Sequence, residues 1–334
     1  MTSQPNIPPI APGASVVVVG GRGFVGSHVV RALIAKGYKP HVFGPAMAAD
    51  LLADKVGQFG ETVGSLEDRA LLRDMLATVK PAALVSCAAF GAGDQGLMRS
   101  GESDSDKAFA INVDGFRHLI AAVAEAGIQR LVWTSSTVVY GPAGDYASEP
   151  VDEDAPKRPR TVYGLTKHIA EEVADFAALR HGLSITGLRL PLILGPGLWY
   201  NGAAAALAEL LRAGNRGGTH HVAFHDRPID LMHVSDVAAA CLAVLTAPKP
   251  LETIYNINGF TASVRDIAAA VEKEAPGLEV ALDVTEPAML FPLISDARFR
   301  RDTGFTPAFD LPGLVTDMAK GGRAVATSSS TEPS

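Results

Sequence analysis

This sequence of 334 residues predicts an α/β fold, a doubly wound parallel sheet with a smaller C-terminal lobe. Between residues 15 and 190, short apolar runs alternate with longer segments of helical periodicity. Such alternation is typical of parallel sheets that helices cover on both faces. A glycine-rich turn follows the first apolar run, and past residue 190 the alternation becomes irregular. The irregular part indicates a second, smaller unit beside the sheet.

The elements of the sheet follow one another along the chain. Strands are predicted at 15–19, 41–43, 61–63, 83–89, 130–136 and 184–190, and helices at 24–37, 67–79, 106–127 and 163–181. The first strand, SVVVV, is a continuous β-branched run, as expected for a strand buried on both faces. The first helix ends at a glycine and the second stops before a proline, residues that commonly terminate helices.

The last part of the chain has elements of its own. Helices are predicted at 202–214, 234–247 and 263–275, and strands at 253–257 and 278–282. We expect residues 225–250 to return to the sheet domain of 15–190, which leaves 191–224 and 251–320 for the smaller lobe. Residues 1–14 are rich in Pro and residues 321–334 are small and polar, so both are predicted to be disordered tails.

Composition and charge exclude several classes of partner. The sequence is 47% hydrophobic and 19% charged, an ordinary mixture for a chain that buries a sizeable core. The net charge is -7 and no basic run occurs, which argues against a nucleic-acid partner. No segment reaches the ~20 uninterrupted apolar residues of a membrane span, so no membrane association is expected.

The cysteines and histidines indicate neither disulfides nor a metal site. Cys87 and Cys241 each lie in an apolar run and are expected to be buried thiols. The histidines at 220–221, with His225, come nearest to a metal-binding spacing, but adjacent residues seldom ligate together from one regular element. The N-terminus has no basic start and no apolar segment typical of a secretion signal. A reducing cytoplasm is therefore expected.

The glycine-rich turn is the first motif that carries chemistry. The run VVVVGGRGFVG supplies Gly20, Gly23 and Gly26 between a strand and a helix. Glycine permits backbone angles closed to other residues, and it lets a pyrophosphate approach the helix N-terminus, where unpaired N–H groups favour an anion. After the first strand of a βαβ pattern, this spacing predicts a Rossmann-type, dinucleotide-binding domain.

The second motif is a tyrosine and a lysine four residues apart at the start of a helix. Tyr163 and Lys167 share one helical face. Earlier in the chain, the run WTSSTVVYG places Ser135 and Ser136 at the carboxyl end of the strand predicted at 130–136. The carboxyl edge of a parallel sheet is where ligands of such folds bind, and the glycine turn lies at the same edge. The serine, tyrosine and lysine are therefore expected to converge beside a dinucleotide.

With these motifs the chain resembles the extended short-chain dehydrogenases/reductases, which include NAD-dependent epimerases/dehydratases and 3β-hydroxysteroid dehydrogenases. The resemblance covers residues 15–320 and rests on GGRGFVG, INVDGFRHLI, LVWTSSTVVYG, VYGLTK, LRLPLILGPG, HVSDVAAA and YNINGFTASVRDI. It implies an NAD(P) cofactor on the Rossmann domain and a C-terminal substrate-binding lobe. It also implies a homodimer in which the helices predicted at 106–127 and 163–181 pair with their symmetry mates.

The resemblance assigns roles to particular residues. Ser136 would hydrogen-bond the reacting oxygen, Tyr163 would move the proton, Lys167 would bind the nicotinamide ribose and keep Tyr163 acidic, and Asn112 would support a helix kink behind the lysine. Ser135 is the alternative serine. The cofactor would contact Gly20, Arg22, Gly23, Phe24, Val25, Gly26, Ser65, Leu66, Ala88, Ala89, Tyr163, Lys167 and Pro191. The substrate would contact Phe90, Ser135, Ser136, Thr137, Leu192, Trp199 and Tyr200.

Elementary acid–base chemistry agrees with the role of the tyrosine. An unperturbed phenol has a pKa of about 10 and is a poor base at neutral pH. A nearby ammonium and a positively charged nicotinamide ring stabilise the phenolate and lower that pKa. We therefore expect Tyr163, beside Lys167, to act as general acid and base near neutrality.

The cofactor-binding sequence departs from the family pattern at Gly44 and Ser65, and Arg22 bears on the choice of cofactor. Gly44 stands at the end of the second strand, where NAD enzymes commonly carry an acid for the ribose diol. Arg22 stands where NADP-preferring relatives often have a basic residue, and it could attract a 2′-phosphate. Ser65 replaces the family's adenine-contacting Asp. NADP is therefore predicted over NAD, by a small margin.

Two further departures concern the substrate. Leu192 stands where nucleotide-sugar enzymes of the family have an Asn for the diphosphate, and Ile229 stands where they have an Arg. Arg227 is a possible substitute for that Arg. With Trp199 and Tyr200, Leu192 is expected to form an apolar wall, which makes a nucleoside-diphosphate sugar a less suitable substrate.

Three functions fit these observations. The first is a dehydrogenase or reductase of a small alcohol, ketone or sugar-like compound that uses free NADP(H) or NAD(H). The second is a sugar or nucleotide-sugar epimerase or dehydratase that retains its cofactor and shows no net oxidation. The third is a nucleotide sensor without turnover, which the intact serine, tyrosine, lysine and asparagine set disfavours, because a sensor needs no proton transfer. The sequence does not identify the substrate.

Overall fold

The computed structural model describes residue 5 and residues 7–47, 50–202, 205–214 and 217–326. The strands are β1 (Ser15–Val19), β2 (Lys39–Gly44), β3 (Gly60–Val63), β4 (Ala83–Ser86), β5 (Arg130–Ser136), β6 (Ser184–Leu190), β7 (Leu192–Leu194), β8 (Gly218–Phe224), β9 (Ile229–His233), β10 (Ile254–Asn256), β11 (Phe260–Ala262) and β12 (Leu278–Val284). The helices are α1 (Phe24–Ala35), α2 (Arg69–Val79), α3 (Leu97–Ser103), α4 (Ser105–Phe109), α5 (Phe116–Glu125), α6 (Val162–His181), α7 (Ala205–Ala213), α8 (Val234–Leu245), α9 (Val264–Glu274), α10 (Ala297–Thr303) and α11 (Leu311–Ala326).

A seven-stranded parallel sheet forms the centre of the molecule, in the order β3-β2-β1-β4-β5-β6-β10. The first six strands have the doubly wound order of a dinucleotide-binding fold. All of them are parallel, and the order in which strands are added to the sheet reverses between β1 and β4. The predicted α/β fold of the Rossmann type is therefore confirmed.

Helices cover both faces of this sheet, as the sequence pattern predicts. Val16 and Val18 of β1 belong to one apolar cluster, which extends to α1 and α8. Val17 and Val19 belong to a second cluster, with residues of α2, α5 and α6. Because successive strand residues point to opposite faces, the continuous valine run of β1 buries side chains in both layers.

The smaller lobe contains two short sheets. β7 pairs with β9 in parallel and β9 with β11 antiparallel, while β8 and β12 form a separate parallel pair. Several of these strands, with α3, α10 and α11, were not predicted from the sequence. The unpredicted strands, β7, β8, β9 and β11, have only three to seven residues each. Such short segments do not show a clear periodicity of hydrophobic residues.

The predicted boundary of the lobe needs correction. Residues 251–320 were assigned to it, but β10 pairs with β6 at the edge of the main sheet, with Ile254 opposite Gly187. Tyr255 is fully buried in the cluster that includes α1 and α8. The chain therefore returns to the main sheet through β10 because burying this tyrosine is favourable.

The predicted tails are also shorter than expected. In the described part of residues 1–14, Ile10 is buried and its N–H lies 3.4 Å from the Leu245 carbonyl oxygen. Arg130 donates to the Ile7 carbonyl at 2.7 Å. At the other end α11 continues to Ala326, because an apolar face of the helix that includes Leu314 is buried. The rest of the predicted C-terminal tail, 327–334, lies outside the described residues.

Candidate active site

The turn between β1 and α1 depends on glycine at two positions. Gly20 has a φ of +75°, which side chains rarely adopt, and a Cβ there would lie 3.1 Å from the Ala88 backbone nitrogen. A Cβ on Gly26 would lie 2.1 Å from the Gly20 carbonyl oxygen. The chain at Gly20 therefore passes directly against α1 and the end of β4. This close approach leaves the N-terminus of α1 accessible to a ligand.

A cavity of about 530 Å³ opens beside this turn, within the usual range for small-molecule sites. Most of the predicted cofactor residues line it: Gly20, Arg22, Gly23, Phe24, Val25, Gly26, Ser65, Leu66, Ala88 and Ala89, together with Phe90, Trp199 and Tyr200 from the predicted substrate set. Tyr163, Lys167 and Pro191 are not in its lining. The glycine cradle, the cavity volume and the apolar walls fit a dinucleotide.

The catalytic candidates meet at the carboxyl edge of the sheet. Ser136 is the last residue of β5, and Tyr163 lies in the first turn of α6. That helix begins where it does because the Thr161 hydroxyl accepts a hydrogen bond from the Gly164 N–H at 3.0 Å. The Ser136 side chain acts on the phenol of Tyr163, and the Lys167 amine lies 5.9 Å from the centre of the Tyr163 ring.

The electrostatics of the pair differ from the expectation. Burial raises the pKa of Tyr163 above its ordinary value, the neighbouring Tyr200 adds to this, and Ser136 only partly opposes it. Burial also lowers the pKa of Lys167 to about 8. The amine of Lys167 donates to the Thr134 carbonyl oxygen at 2.8 Å. The protein by itself therefore does not lower the pKa of Tyr163, because desolvation of the phenolate and the neighbouring Tyr200 outweigh the effect of Ser136.

Asn112 connects α6, the helix that carries Tyr163 and Lys167, to the segment that follows β4. The helix predicted at 106–127 is interrupted by a π-helical turn at Ala110–Gly115, which contains Asn112. Its side-chain oxygen accepts from the Phe90 N–H at 2.8 Å, and its amide donates to the Thr166 hydroxyl at 3.0 Å. The π-turn is the predicted irregularity, and Asn112 holds it against the residue that precedes Lys167.

The two candidate serines have different partners. The Ser135 hydroxyl donates to Glu171 at 2.6 Å and is buried, so it is not free to contact a ligand. The Ser136 hydroxyl accepts from the Val138 N–H at 3.4 Å, and its side chain acts on the pKa of Tyr163. This difference supports Ser136 over Ser135 as the residue that binds the reacting oxygen. Of the other substrate candidates, Thr137 begins a short 3₁₀ turn and Leu192 begins β7.

Arg22 has two carboxylate partners that the sequence did not reveal. Glu61 on β3 accepts from both Nε and Nη2 of the guanidinium, the latter at 2.8 Å, and Asp50 accepts from Nη1 at 2.8 Å. Ser65 directs its hydroxyl to Glu67 at 3.1 Å. Arg22 lines the cavity, and the carboxylates of Glu61 and Asp50 already balance its positive charge.

The comparison with known families agrees with this site. The model of the NAD dependent epimerase/dehydratase family matches residues 16–258. The chain belongs to this family. That match spans the glycine turn, the serine strand and the catalytic helix, as well as β10 at the sheet edge. Membership of the extended short-chain dehydrogenase/reductase group, inferred from the motifs, is confirmed.

Two kinds of enzyme, dehydrogenases and epimerases, are among the relatives of this chain. The chain is 29% identical over 231 residues to the mitochondrial L-threonine 3-dehydrogenase of Bos taurus, covering 66% of this chain and 61% of that protein. It is 37% identical over 167 residues to the UDP-glucose 4-epimerase of Rhizobium leguminosarum bv. trifolii, covering 49% and 47%. The chain thus spans less than two thirds of these curated relatives.

Solved structures of family members have the same fold. The UDP-glucose 4-epimerase of Thermus thermophilus, in complex with NAD, superposes with a TM-score of 0.78 at 24% identity, covering 92% of this chain and 99% of that one. The L-threonine dehydrogenase of Clostridium difficile gives 0.80 at 17% identity, covering 94% and 99%. At these identities the structural likeness establishes only the fold of this protein.

Sequence reasoning missed a group of buried charged residues behind the family's catalytic helix. Glu171 and Arg189 form an ion pair, and Tyr140 and Glu153 extend the network. Two signals could have found it. Glu171 lies four residues after Lys167, on the same helical face, and Arg189 is a charged residue inside the apolar strand SITGLRL, which requires a partner.

Neither a metal cluster nor a membrane-spanning helix is found in the part of the chain that the structure describes. No group of three His, Cys, Asp or Glu side chains could hold a metal ion there. No described helix is long and apolar enough to cross a bilayer. Cys87 and Cys241 are free thiols.

Proposed function

We propose that this protein is an NAD(P)-dependent dehydrogenase or reductase of a small hydroxyl or carbonyl compound. The observation that carries the proposal is the convergence of Ser136, Tyr163 and Lys167 at the sheet edge that also holds the glycine cradle. These groups can bind an oxygen, exchange a proton with it and place a positive charge beside it. Such a set is what oxidation of an alcohol needs besides a hydride acceptor.

Each side chain has a separate task in this proposal. The nicotinamide cofactor, when bound, supplies the hydride chemistry. The Ser136 hydroxyl hydrogen-bonds the substrate oxygen, and the phenol of Tyr163 takes or returns the proton on that oxygen. Because burial raises the pKa of Tyr163, its phenolate needs nearby positive charge, which Lys167 provides in part. Asn112 keeps the helix around Lys167 in position through Thr166.

The substrate side favours a small compound without a diphosphate. Leu192 and Ile229 offer no polar contact at two positions where nucleotide-sugar enzymes have one. Arg227, the possible substitute, is exposed, and like Leu192 it is not among the residues that line the cavity. The relation to L-threonine 3-dehydrogenases is consistent with a small secondary alcohol. The relation to UDP-glucose 4-epimerases supports the second candidate, an epimerase that retains its cofactor.

For the cofactor we place NAD first, although the sequence favoured NADP. The family is NAD-dependent by its description. Arg22, on which the NADP prediction rests, is held by Glu61 and Asp50. A 2′-phosphate would have to displace these carboxylates or lie beside their negative charge. The NADP preference that the sequence predicts is untested, and assays with both cofactors decide between the two.

A spectrophotometric assay tests the proposed reaction. The purified protein is mixed with NAD or NADP and with L-threonine, simple secondary alcohols, aldoses or UDP-glucose. We expect reduced nicotinamide to accumulate with a small hydroxyl compound, faster with NAD than with NADP. Conversion of UDP-glucose to its 4-epimer without net reduction would replace this proposal by the epimerase. Absence of both reactions across the panel would contradict both.

We also propose that the protein works as a homodimer in the cytoplasm. Leu165, Phe176 and Leu179 lie on one face of α6 and are 40%, 64% and 68% exposed. Large apolar side chains grouped on an exposed helix face favour a contact with another chain. α6 is one of the helices that the family resemblance assigns to the dimer, so a second copy of this chain is the proposed partner.

Light scattering tests the dimer. We expect twice the monomer mass at micromolar concentration, and the monomer mass for the double variant Phe176→Glu with Leu179→Glu, because four buried carboxylates would lack partners in the interface. Val284→Glu, a charge placed on the exposed valine of β12, serves as the control and should remain dimeric. A monomeric unaltered protein would overturn the proposal.

A further inference from the structure

A buried ion pair lies directly behind the catalytic candidates. Nε and Nη2 of Arg189 on β6 donate to the two carboxylate oxygens of Glu171 on α6, at 2.8 and 2.7 Å. The two side chains are only 1% and 7% exposed. Burying two charges costs much of what their attraction returns, and well-packed apolar residues often serve stability equally well. Stability alone therefore does not explain a charged pair at this position.

Glu171 also connects the catalytic helix to the serine strand. Its Oε1 accepts the Ser135 hydroxyl at 2.6 Å. One helical turn earlier, the Lys167 amine donates to the carbonyl oxygen of Thr134 at 2.8 Å. Lys167 and Glu171 thus bind two consecutive residues of β5, the two that precede Ser136. Both side chains therefore hold α6 against the end of β5 that carries Ser136.

The surroundings of Lys167 offer little other negative charge. Its amine lies 5.6 Å from the Trp133 ring on β5 and 3.5 Å from the Ala88 carbonyl oxygen after β4. The titratable groups that face it are Cys87, Tyr163 and Glu171. Burial raises the pKa of the Cys87 thiol to about 12 and also raises the pKa of Tyr163, so both are neutral at pH 7. Glu171 is the carboxylate that acts on the amine.

We propose that Glu171 is a positioning residue that keeps the Lys167 amine charged and fixed against β5 at neutral pH, while Arg189 holds the Glu171 carboxylate in place. The proposal rests on the function above only for what the charged amine then does. Burial lowers the pKa of Lys167 to about 8, and the neighbouring Cys87 and Glu171 oppose this effect. Without the carboxylate, the amine would lose its proton within the physiological pH range.

The protonation state of Lys167 can be followed without cofactor or substrate. The chain has two tryptophans, so the variant Trp199→Phe leaves Trp133, beside the amine, as the single emitter. In a titration from about pH 6 to 10, its fluorescence should change as the ammonium is lost, near the pKa of Lys167. Adding Glu171→Gln should move this inflection to lower pH by about one pH unit.

Two controls separate this effect from general damage to the network. Glu153 is a buried carboxylate of the same network that accepts from the Asn256 N–H at 3.0 Å and pairs with Arg298 at 3.3 Å, and it does not act on Lys167. Glu153→Gln should leave the inflection unmoved. Lys167→Met should remove the inflection. If Glu171→Gln does not fold, Glu171→Met with Arg189→Met removes both charges together and should lower the inflection as well.

The outcomes are distinct. An inflection at lower pH in the Glu171 variants, and not in the control, supports the proposal. NAD affinity should fall as the pH rises, and if that fall also moves to lower pH in these variants, measured by fluorescence titration, the charge of Lys167 is used in binding. An unmoved inflection, an equal shift in Glu153→Gln, or an inflection that persists in Lys167→Met each overturns it. The titration of the cofactor-free protein does not depend on which reaction the protein catalyses, so failure of the proposed function would leave its result standing.

Discussion

Replacing Tyr163 by Phe is expected to lower kcat by about 10²–10⁴-fold, the usual contribution of a positioned acid or base. The substitution removes one oxygen from a side chain that is 7% exposed and keeps the ring that packs beside Lys167. Removal of this hydroxyl should cost only about 1 kcal/mol of folding stability. The affinity for the cofactor should be nearly unchanged, because the glycine cradle is untouched.

Steady-state kinetics and a cofactor titration by fluorescence measure the two effects separately. Tyr38→Phe is the matched control, since that hydroxyl lies 3.5 Å from the Ile10 carbonyl oxygen, on a residue that immediately precedes β2. It should leave kcat unchanged. Near-normal turnover in Tyr163→Phe would remove the tyrosine from the mechanism and leave Ser136 without its proposed partner.

Gly26→Ala is expected to damage both folding and cofactor binding. The added Cβ would lie 2.1 Å from the Gly20 carbonyl oxygen, and 2.8 Å from the Gly20 carbonyl carbon and the Gly21 Cα. All three are backbone atoms, so no side chain can rotate to relieve the contact. Overpacking of this kind typically costs about 1–3 kcal/mol. Relief requires α1 to move away from β1, which deforms the cradle for the cofactor.

Thermal unfolding and NAD titration measure the damage. We expect the melting temperature to fall by about 2–4 °C and the NAD affinity to fall at least about tenfold, which corresponds to 1.4 kcal/mol. Gly144→Ala is the control, because a Cβ there meets nothing within 4 Å and its φ is not in the left-handed region. An unchanged melting temperature together with unchanged affinity would show that this turn does not have the close approach described.

The dehydrogenase and epimerase alternatives share the residues that the sequence reveals most clearly. Both need a cofactor cradle and a proton donor, so the motifs of the family cannot separate them. Their difference lies in what contacts the rest of the substrate and in whether the cofactor leaves. The region predicted to decide this includes Trp199 and Tyr200, which line the cavity, and it adjoins Asn201, whose amide donates to Asp94 at 2.9 Å. This contact joins the substrate loop to the loop after β4 and was not predictable from either segment.

Some of the molecule follows directly from local sequence rules. The valine run of β1, the glycine turn and α1 occupy consecutive residues, and their conformations depend on β-branched side chains, on the absence of Cβ atoms and on helical periodicity. The spacing of Tyr163 and Lys167 places both on one face of a helix wherever that helix packs. These features were predicted because each needs information from only a few neighbouring residues.

Only the tertiary structure decided the partners of the charged residues and the course of the chain through the lobe. Arg22 looked available for a phosphate until Glu61, from a different strand, was found to hold it. Ser135 and Ser136 are adjacent in sequence, and Glu171 and Tyr163 distinguish them. β10 returns to the main sheet because Tyr255 is buried there. Each outcome is a competition among contacts between residues far apart in the chain, where burial and charge pairing outweigh local propensity.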